Sequence, residues 1–107
     1  MTHAPRRAAW PLSLFSGLLL VAMAFAADVP YLTGRVTDNA EILKPETRDR
    51  LTAALQAHEQ KTANQIAVLT VPTIQGESVE GFSTKVFESW KLGQKGKDNG
   101  VLVVVVP

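Results

Sequence analysis

The chain has 107 residues, no cysteine, and eleven Lys and Arg against ten Asp and Glu, for a formal net charge of +1. This length accommodates one domain, and the lack of cysteine excludes a disulfide framework and a thiolate metal site. Only two histidines, His3 and His58, are present, which argues against a histidine-rich zinc site and a Ser-His-Asp triad. A nearly neutral chain also gives no electrostatic basis for binding nucleic acid.

The first 26 residues have the features of a secretory signal peptide. Arg6 and Arg7 precede an uncharged run rich in Leu, Ala, Val and Phe, and Ala24 and Ala26 are the small residues typical of a cleavage site. We expect cleavage after Ala26 and export to the periplasm or the extracellular space, leaving nine basic residues against ten acidic ones. The alternative is an uncleaved membrane anchor, because the run approaches the ~20 residues that span a bilayer.

Residues 27–44 lack sustained periodicity, which predicts an irregular leading segment with a short extended piece at residues 35–37. A turn is expected at residues 37–39, because Asp and Asn side chains bond to their own downstream amides. Asp38 is also a candidate metal ligand, but the turn role is favoured.

A first helix is predicted from Pro45 to about Thr62. Proline suits the first helical position, and Glu46 lies at the positive end of the helix dipole. Asn64 is expected to end the helix in the left-handed conformation. The predicted inward-facing stripe consists of Thr47, Leu51, Ala54, Leu55 and His58. We expect His58 to lie at the edge of the core and not to act as a ligand or base.

The run from Gln65 to Val71 is almost continuously apolar, which is typical of a parallel strand covered on both faces. Ser78 is the best N-cap for a second helix over about residues 79–92. The apolar stripe of that helix is expected to consist of Val79, Phe82, Val86 and Trp90.

The aliphatic run from Val101 to Val106 predicts a second strand, so that strand, helix and strand form a parallel βαβ unit. The chain stops at Pro107, and two strands with two helices bury little apolar surface. We therefore expect an incomplete portion of an α/β domain with an exposed valine edge that favours aggregation, or an incomplete gene product without independent function.

The glycine-rich loop, residues 93–100, reads Gly-Gln-Lys-Gly-Lys-Asp-Asn-Gly. Asp98 and Asn99 offer oxygens to a hard cation, and Lys95 and Lys97 offer positive charge to a phosphate. The alternative, which loop statistics favour, is a helix-to-strand turn with Gly93 as the left-handed cap and solvated lysines.

In order, these motifs resemble the TPM domain family, which includes exported bacterial proteins and a plant thylakoid-lumen photosystem repair protein. The resemblance rests on Val-Pro-Tyr-Leu-Thr-Gly-Arg-Val-Thr-Asp (residues 29–38), Asn-Gln-Ile-Ala-Val-Leu-Thr-Val (residues 64–71) and above all the glycine-rich loop. It implies a Rossmann-like three-layer α/β/α sandwich with a mostly parallel sheet, in a domain that starts near residue 29 and has its helices and main strands in residues 45–107. It also implies an extracytoplasmic, often membrane-tethered location.

The resemblance further implies acid phosphatase activity and calcium binding in some relatives, with the acidic positions of the family falling on Asp38 and Asp98 and with Asn99 beside the latter. Two functions follow as hypotheses. One is a noncatalytic exported module that binds or helps maintain a membrane-associated protein assembly, with a calcium-binding loop. The other is a metal-assisted acid phosphatase acting on phosphate monoesters, with Lys95 and Lys97 binding phosphate.

The expected topology separates the candidate metal ligands. The glycine-rich loop precedes a strand and so lies at the amino-terminal edge of the sheet, whereas open α/β sheets usually bind ligands at the carboxyl edge. Asp38 and Asp98 can therefore share a site only if the leading segment runs back along the sheet.

Overall fold

The computed structural model describes residues 27–107, which form an alternating α/β unit. The predicted signal peptide or anchor, residues 1–26, lies outside the described residues. Among residues 27–107, no helix is both long enough and apolar enough to cross a bilayer. In chain order, the elements are β1 (Val36–Asp38), α1 (Pro45–Thr62), β2 (Gln65–Thr70), α2 (Val79–Trp90) and β3 (Gly100–Val105).

The three strands form a parallel sheet in the order β1-β2-β3. The register aligns Asp38 with Thr70 and Thr70 with Val105 at the carboxyl edge, and Gln65 with Gly100 at the amino edge. The parallel pairing of the two aliphatic runs and the α/β fold class are thus confirmed, and the arrangement is compatible with part of a Rossmann-like fold.

The core lies between the sheet and α2. Phe82 and Val86 from α2 are buried against Leu69 and Val71, and Ala27 from the leading segment joins the same cluster. Aromatic and aliphatic side chains at a helical spacing of four therefore supply much of this small core.

The bounds predicted for α1 are confirmed, but the predicted inward face is only partly right: Leu51 and Leu55 are half-buried as expected, and the other three residues are not. No residue of α1 is buried, and Thr47, Ala54 and His58 are exposed. His58 is therefore not a core-edge residue. The helix is rotated so that its half-buried side is formed by Leu51, Thr52, Leu55 and Glu59.

Glu59, on the half-buried side of α1, forms an ion pair with a residue of the leading segment. Glu59 Oε1 accepts a hydrogen bond from Arg35 Nε at 3.3 Å, just before β1. An apolar stripe drawn from spacing alone could not include this ion pair, because the arginine is 24 residues away in the sequence.

The helix ends also differ from the predictions. Ala63, not Asn64, takes the left-handed conformation after α1, with φ 65°, and its N–H donates to the carbonyl of Glu59 at 2.8 Å. Lys91, not Gly93, does so after α2, with φ 53°. The Ser78 N-cap is confirmed, since its Oγ accepts a hydrogen bond from the N–H of Gly81 at 3.0 Å. Val79, assigned to the inward stripe of α2, is exposed.

Candidate functional site

At the carboxyl edge of the sheet, the Asp38 carboxylate organises the loop between β1 and α1. Its Oδ1 accepts hydrogen bonds from Thr70 Oγ1 at 2.5 Å and from the N–H of Ile42 at 3.2 Å. Its Oδ2 accepts from the N–H of Leu43 at 2.9 Å. Thr70 Oγ1 in turn accepts from the N–H of Ala40 at 3.0 Å. The turn role favoured for Asp38 is therefore what this geometry provides.

These contacts also set the ionisation of Asp38. The hydrogen bond from Thr70 lowers the pKa of this carboxyl below its usual value, and the amides of Leu43 and Ile42 and the charge of Arg48 act in the same direction. Partial desolvation raises the pKa with an effect second only to that of Thr70, and the net shift is downward. Three of the roughly four acceptor positions of the carboxylate are already in use. Asp38 is therefore an ionised structural acceptor with little capacity left for a ligand.

At the amino edge, Asn99 fastens the glycine-rich loop to the rest of the fold. Its Oδ1 accepts from the N–H of Gln94 at 2.7 Å, and its Nδ2 donates to the carbonyl of Ala63 at 2.7 Å. Its main-chain carbonyl accepts from the N–H of Gln65 at 2.8 Å, and Gln65 Oε1 accepts from the N–H of Gly93 at 2.8 Å. Asn99 thus closes the loop on itself and ties it to the end of α1.

The tip of the loop is the part exposed to solvent. The side chains of Lys95, Lys97 and Asp98 are all exposed, and the N–H of Lys97 donates to the carbonyl of Gln94 at 3.0 Å in a tight turn. Asp98 has φ 49°, in the left-handed region that Asp tolerates better than most residues. The structure therefore brings the two predicted phosphate-binding lysines and Asp98 together on one short turn.

Asp38 lies at the opposite edge of the sheet from Asp98. Asp38 is level with Val105, whereas Asp98 precedes Gly100 at the start of β3. Five strand steps separate these levels, roughly 17 Å. A calcium ion binds its oxygens at about 2.5 Å. The two aspartates therefore do not surround a common ion position.

The third predicted ligand, Asn99, lies next to Asp98 in the loop, and the N–H of Gln94 already occupies one of the two acceptor positions of its amide oxygen. Among residues 27–107, no three His, Asp or Glu side chains group in a way that could hold a metal ion. The three predicted ligands do not fit one calcium site, and calcium binding by the glycine-rich loop stays a prediction.

Sequence reasoning missed two polar side chains that hold these loops, Thr70 and Gln65. They occupy the last and first positions of β2, an otherwise apolar strand. The sequence did contain a signal for this role, namely a polar residue at each end of an apolar strand. The main chain of a loop needs hydrogen-bond partners where it joins a strand, and side chains there can supply them.

β3 has an open side within the described residues. Within residues 27–107, β3 pairs only with β2, so its other edge has unpaired main-chain groups. On the face toward α1, Val101, Val103 and Val105 are 46%, 43% and 38% exposed. α1 packs over β1 and β2 and leaves these valines uncovered.

A groove runs beside the same strand on the opposite face. It has a volume of about 370 Å³ and is lined by Leu102 of β3 and by residues of α2. The α2 residues lining it are Ser83, Thr84, Phe87 and Glu88. Apolar surface therefore flanks the open edge of β3 on both faces.

Comparison with known proteins agrees with this architecture. The sequence model of a family described as the TPM domain matches residues 36–107. The solution structure of the N-terminal domain of a protein from P. gingivalis is similar, with a TM-score of 0.63 and 32% sequence identity. The similarity covers 69% of this chain and 47% of the solved chain, so this chain spans about half the length of that relative. A comparison with curated proteins gave no significant match.

The family match covers β1, both helices, β2, the glycine-rich loop and β3, which is about two thirds of the sequence. The chain therefore belongs to the TPM domain family.

Proposed function

We propose that this chain is a noncatalytic binding module of an exported protein, which helps maintain a membrane-associated protein assembly by pairing with an extended aliphatic segment of a membrane-associated protein. The observation that carries the proposal is the edge of β3 that is open within residues 27–107, together with its uncovered valines. Export and membrane association are supported by the leader-like residues 1–26.

The edge of β3 suits an added strand. Six consecutive residues, Gly100–Val105, are in regular parallel pairing with β2, so the main-chain groups on the other side are spaced for another strand. Unprotected edges of this kind pair with other chains unless charges, proline or a covering element prevent it. β3 carries no charged residue, so nothing in its own sequence opposes pairing.

The row of exposed valines on β3 indicates which side chains the bound segment should have. Val101, Val103 and Val105 alternate along β3 and form a row of exposed branched side chains. Branched side chains on neighbouring strands stabilise each other when they face the same side. An added segment with aliphatic residues at every second position would cover this row and bury it from water.

Site-specific photo-crosslinking tests the proposal in the cell that makes the protein. A crosslinking residue at Val103 is compared with one at Lys61, an exposed position on α1. We expect the Val103 position alone to give an adduct that mass spectrometry maps to an extended segment of a membrane-associated protein. Substitution of Val105 with Lys should abolish this adduct. An adduct with a second copy of the chain, or equal yields from both positions, would contradict the proposal.

The proposal includes calcium binding by the tip of the glycine-rich loop, with Asp98 as the carboxylate ligand. The tip is exposed and has one carboxylate, so the site would be weak and would serve to stabilise the turn.

The second candidate function is a metal-assisted acid phosphatase. It is favoured by one observation, the placement of Lys95, Lys97 and Asp98 on a single exposed turn. The test is release of phosphate from a monoester by the chain and by its Asp98→Ala variant. Equal rates would remove the loop from any hydrolytic mechanism, whereas loss of activity in the variant alone would favour this function over the binding module.

A further inference from the structure

The charges of residues 27–107 are distributed unevenly along the strand direction. Because the strands are parallel, both helices run from the carboxyl edge of the sheet to the amino edge. The five basic residues nearest the amino edge are Arg35, Lys61, Lys91, Lys95 and Lys97, and the three acidic ones are Glu59, Glu88 and Asp98. These give a net charge of +2, whereas the four basic and seven acidic side chains of the other described residues give −3. The amino edge is therefore the positive end of this unit.

Three of the lysines, Lys91, Lys95 and Lys97, lie where α2 ends and in the glycine-rich loop that follows. All three side chains are exposed, and Lys95 and Lys97 lie on the tight turn at the tip of the loop. None of the ion pairs formed within residues 27–107 includes any of them. Their charges therefore face solvent and can act on a partner outside the domain.

Exposed apolar side chains lie at the same edge. Tyr31 is 91% exposed and Leu32 is 48% exposed. Trp90 Nε1, at the end of α2, donates a hydrogen bond at 2.9 Å to the main-chain carbonyl of the residue before Tyr31. Leu32 lines a cavity of about 230 Å³ together with Gln65, the first residue of β2, and Leu92, which precedes the glycine-rich loop. Tyr31 and Leu32 therefore lie beside the base of the loop that carries the lysines.

Positive charge beside an exposed tyrosine and leucine is the chemistry that recognises an anionic membrane surface. Tyrosine is enriched at membrane interfaces because its ring is apolar while its hydroxyl stays hydrated. Basic side chains are attracted to anionic lipids, and this attraction adds to the burial of apolar side chains. A bilayer also matches the distribution of charge, since an anionic surface attracts the amino edge and repels the acidic carboxyl edge.

We propose that the amino edge of the sheet docks on a bilayer of anionic phospholipid, with Tyr31 and Leu32 at the boundary between headgroups and acyl chains and with Lys95 and Lys97 against the headgroup phosphates. This goes beyond the strand pairing at β3, and it rests on the proposed membrane-associated location. Docking also orients the domain. The strands stand away from the membrane, so the edge of β3 that is open within residues 27–107 faces sideways, within reach of a segment of a membrane protein.

A fluorescent label that responds to an apolar environment tests this docking on the full chain. Because the sequence has no cysteine, Gln94→Cys gives a single labelling site in the exposed loop. Glu80→Cys gives one at the opposite edge, in the first turn of α2. Each chain is labelled with NBD and added to vesicles of phosphatidylcholine, either alone or with about 30% phosphatidylglycerol. The leader can attach the chain to either vesicle, so the comparison depends on lipid charge and label position.

The position of the label decides between docking and general attachment. We expect the emission of the label at Gln94 to be at least about threefold higher with the anionic vesicles than with the neutral ones, because the loop then enters the interface. The label at Glu80 should respond equally to both. Equal responses of the two labels, or of the Gln94 label to both lipids, would overturn the inference.

Two double substitutions with the same loss of charge separate position from total charge. Lys95→Gln with Lys97→Gln removes two charges at the amino edge, whereas Lys44→Gln with Arg50→Gln removes two exposed charges near the start of α1. We expect the first pair to raise the concentration of anionic lipid needed for half of the response at least about tenfold, and the second pair to change it by less than about twofold. Equal weakening by both pairs would show that the amino edge is not the docking surface.

The apolar contribution is tested without a change in charge. We expect Tyr31→Ser to lower the response to anionic vesicles at least about twofold, whereas Val79→Ser, at an exposed position of the opposite edge, should not. All of the replaced side chains are exposed, and circular dichroism confirms that each variant is folded. An equal response to soluble polyglutamate in place of vesicles would identify an acidic protein as the occupant and overturn the inference. Any of these failures leaves the pairing at β3 in place, because crosslinking at Val103 measures that separately.

Discussion

The main chains of Gly93 and Gly100 are in close contact where the glycine-rich loop starts and ends. A Cβ on Gly100 would come within 2.7 Å of the main-chain nitrogen of Gly93, and a Cβ on Gly93 within 2.9 Å of the nitrogen of Gly100. Real Cβ atoms do not approach backbone this closely, so the closed base of the loop requires glycine at both positions. The most specific part of the family resemblance is therefore explained by packing.

The first prediction compares Gly100→Ala with Gly96→Ala. At Gly100 the added Cβ meets backbone atoms that cannot move aside, and we expect the free energy of unfolding to fall by about 3 kcal/mol. Gly96 lies at the open tip, where the added Cβ meets nothing within 4 Å but φ is +77°. Here only backbone strain acts, about 1 kcal/mol. Urea unfolding measures both, and equal losses would show that the close approach is not what stabilises the loop.

The second prediction concerns the hydroxyl of buried Thr70. Thr70→Val keeps the shape of the side chain but removes the donor to Asp38 and the acceptor for the N–H of Ala40. We expect a loss of about 2 kcal/mol in the free energy of unfolding, because both partners lose a bond in a partly buried place. Thr47→Val on exposed α1 is the matched control and should change stability by less than about 0.5 kcal/mol. A similar loss in both variants would contradict the role of the hydroxyl.

The third prediction is a pH dependence that comes from Asp38. Since folding lowers the pKa of this carboxyl, the folded state holds the proton less tightly than the unfolded state. Its contribution to stability is therefore present above the unfolded pKa of about 3.9 and is lost as the pH falls through the lower folded value. Melting temperatures measured from pH 6 down to acid should fall less steeply for Asp38→Asn than for the wild type. An unchanged slope in Asp38→Asn would contradict this role of the carboxyl.

The sequence predicted the element order and the element bounds to within two residues, because these depend on local signals: Pro45, the Ser78 cap and two aliphatic strands. It placed Leu51 and Leu55 on the inward side of α1 but missed Thr52 and Glu59. Glu59 pairs there with Arg35, a contact between residues distant in the sequence. Local signals fix elements, and long-range contacts fix their rotation.

In the candidate site too, the sequence predicted what depends on local signals and not what depends on long-range contacts. Grouping Lys95, Lys97 and Asp98 required only that they share one short loop, and the structure places them on one turn. Whether Asp38 lies near these residues depends on how the strands align. The parallel register places Asp38 at the opposite edge of the sheet. Pairing of strands is a long-range property, so acidic residues in two separate motifs do not predict a shared site.

The fourth prediction separates the roles of Asn99 and Asp98. Asn99→Ala removes the bonds to Gln94 and Ala63 and should lower the free energy of unfolding by about 2 kcal/mol. Asp98→Asn should change it by less than about 0.5 kcal/mol without calcium, since its side chain is exposed. With calcium at about millimolar concentration, the wild type should gain thermal stability and Asp98→Asn should not. A gain in both proteins would place the ion elsewhere.

The fifth prediction uses the alternation of β3. Val103 faces solvent, whereas Val104 packs against the core cluster from the α2 side. We expect Val103→Lys to keep the free energy of unfolding within about 0.5 kcal/mol of the wild type. Val104→Lys should lower it by about 3 kcal/mol, because a charge cannot be accommodated against the core without rearrangement.

The same pair of variants reports on association. A charged residue on an exposed strand opposes pairing of open edges, so Val103→Lys should be less aggregated than the wild type at equal concentration in sedimentation velocity. Val104→Lys should aggregate more, because unfolding exposes the aliphatic strand. If Val103→Lys aggregates as much as the wild type, the valine face of β3 is not the surface through which copies of this chain associate.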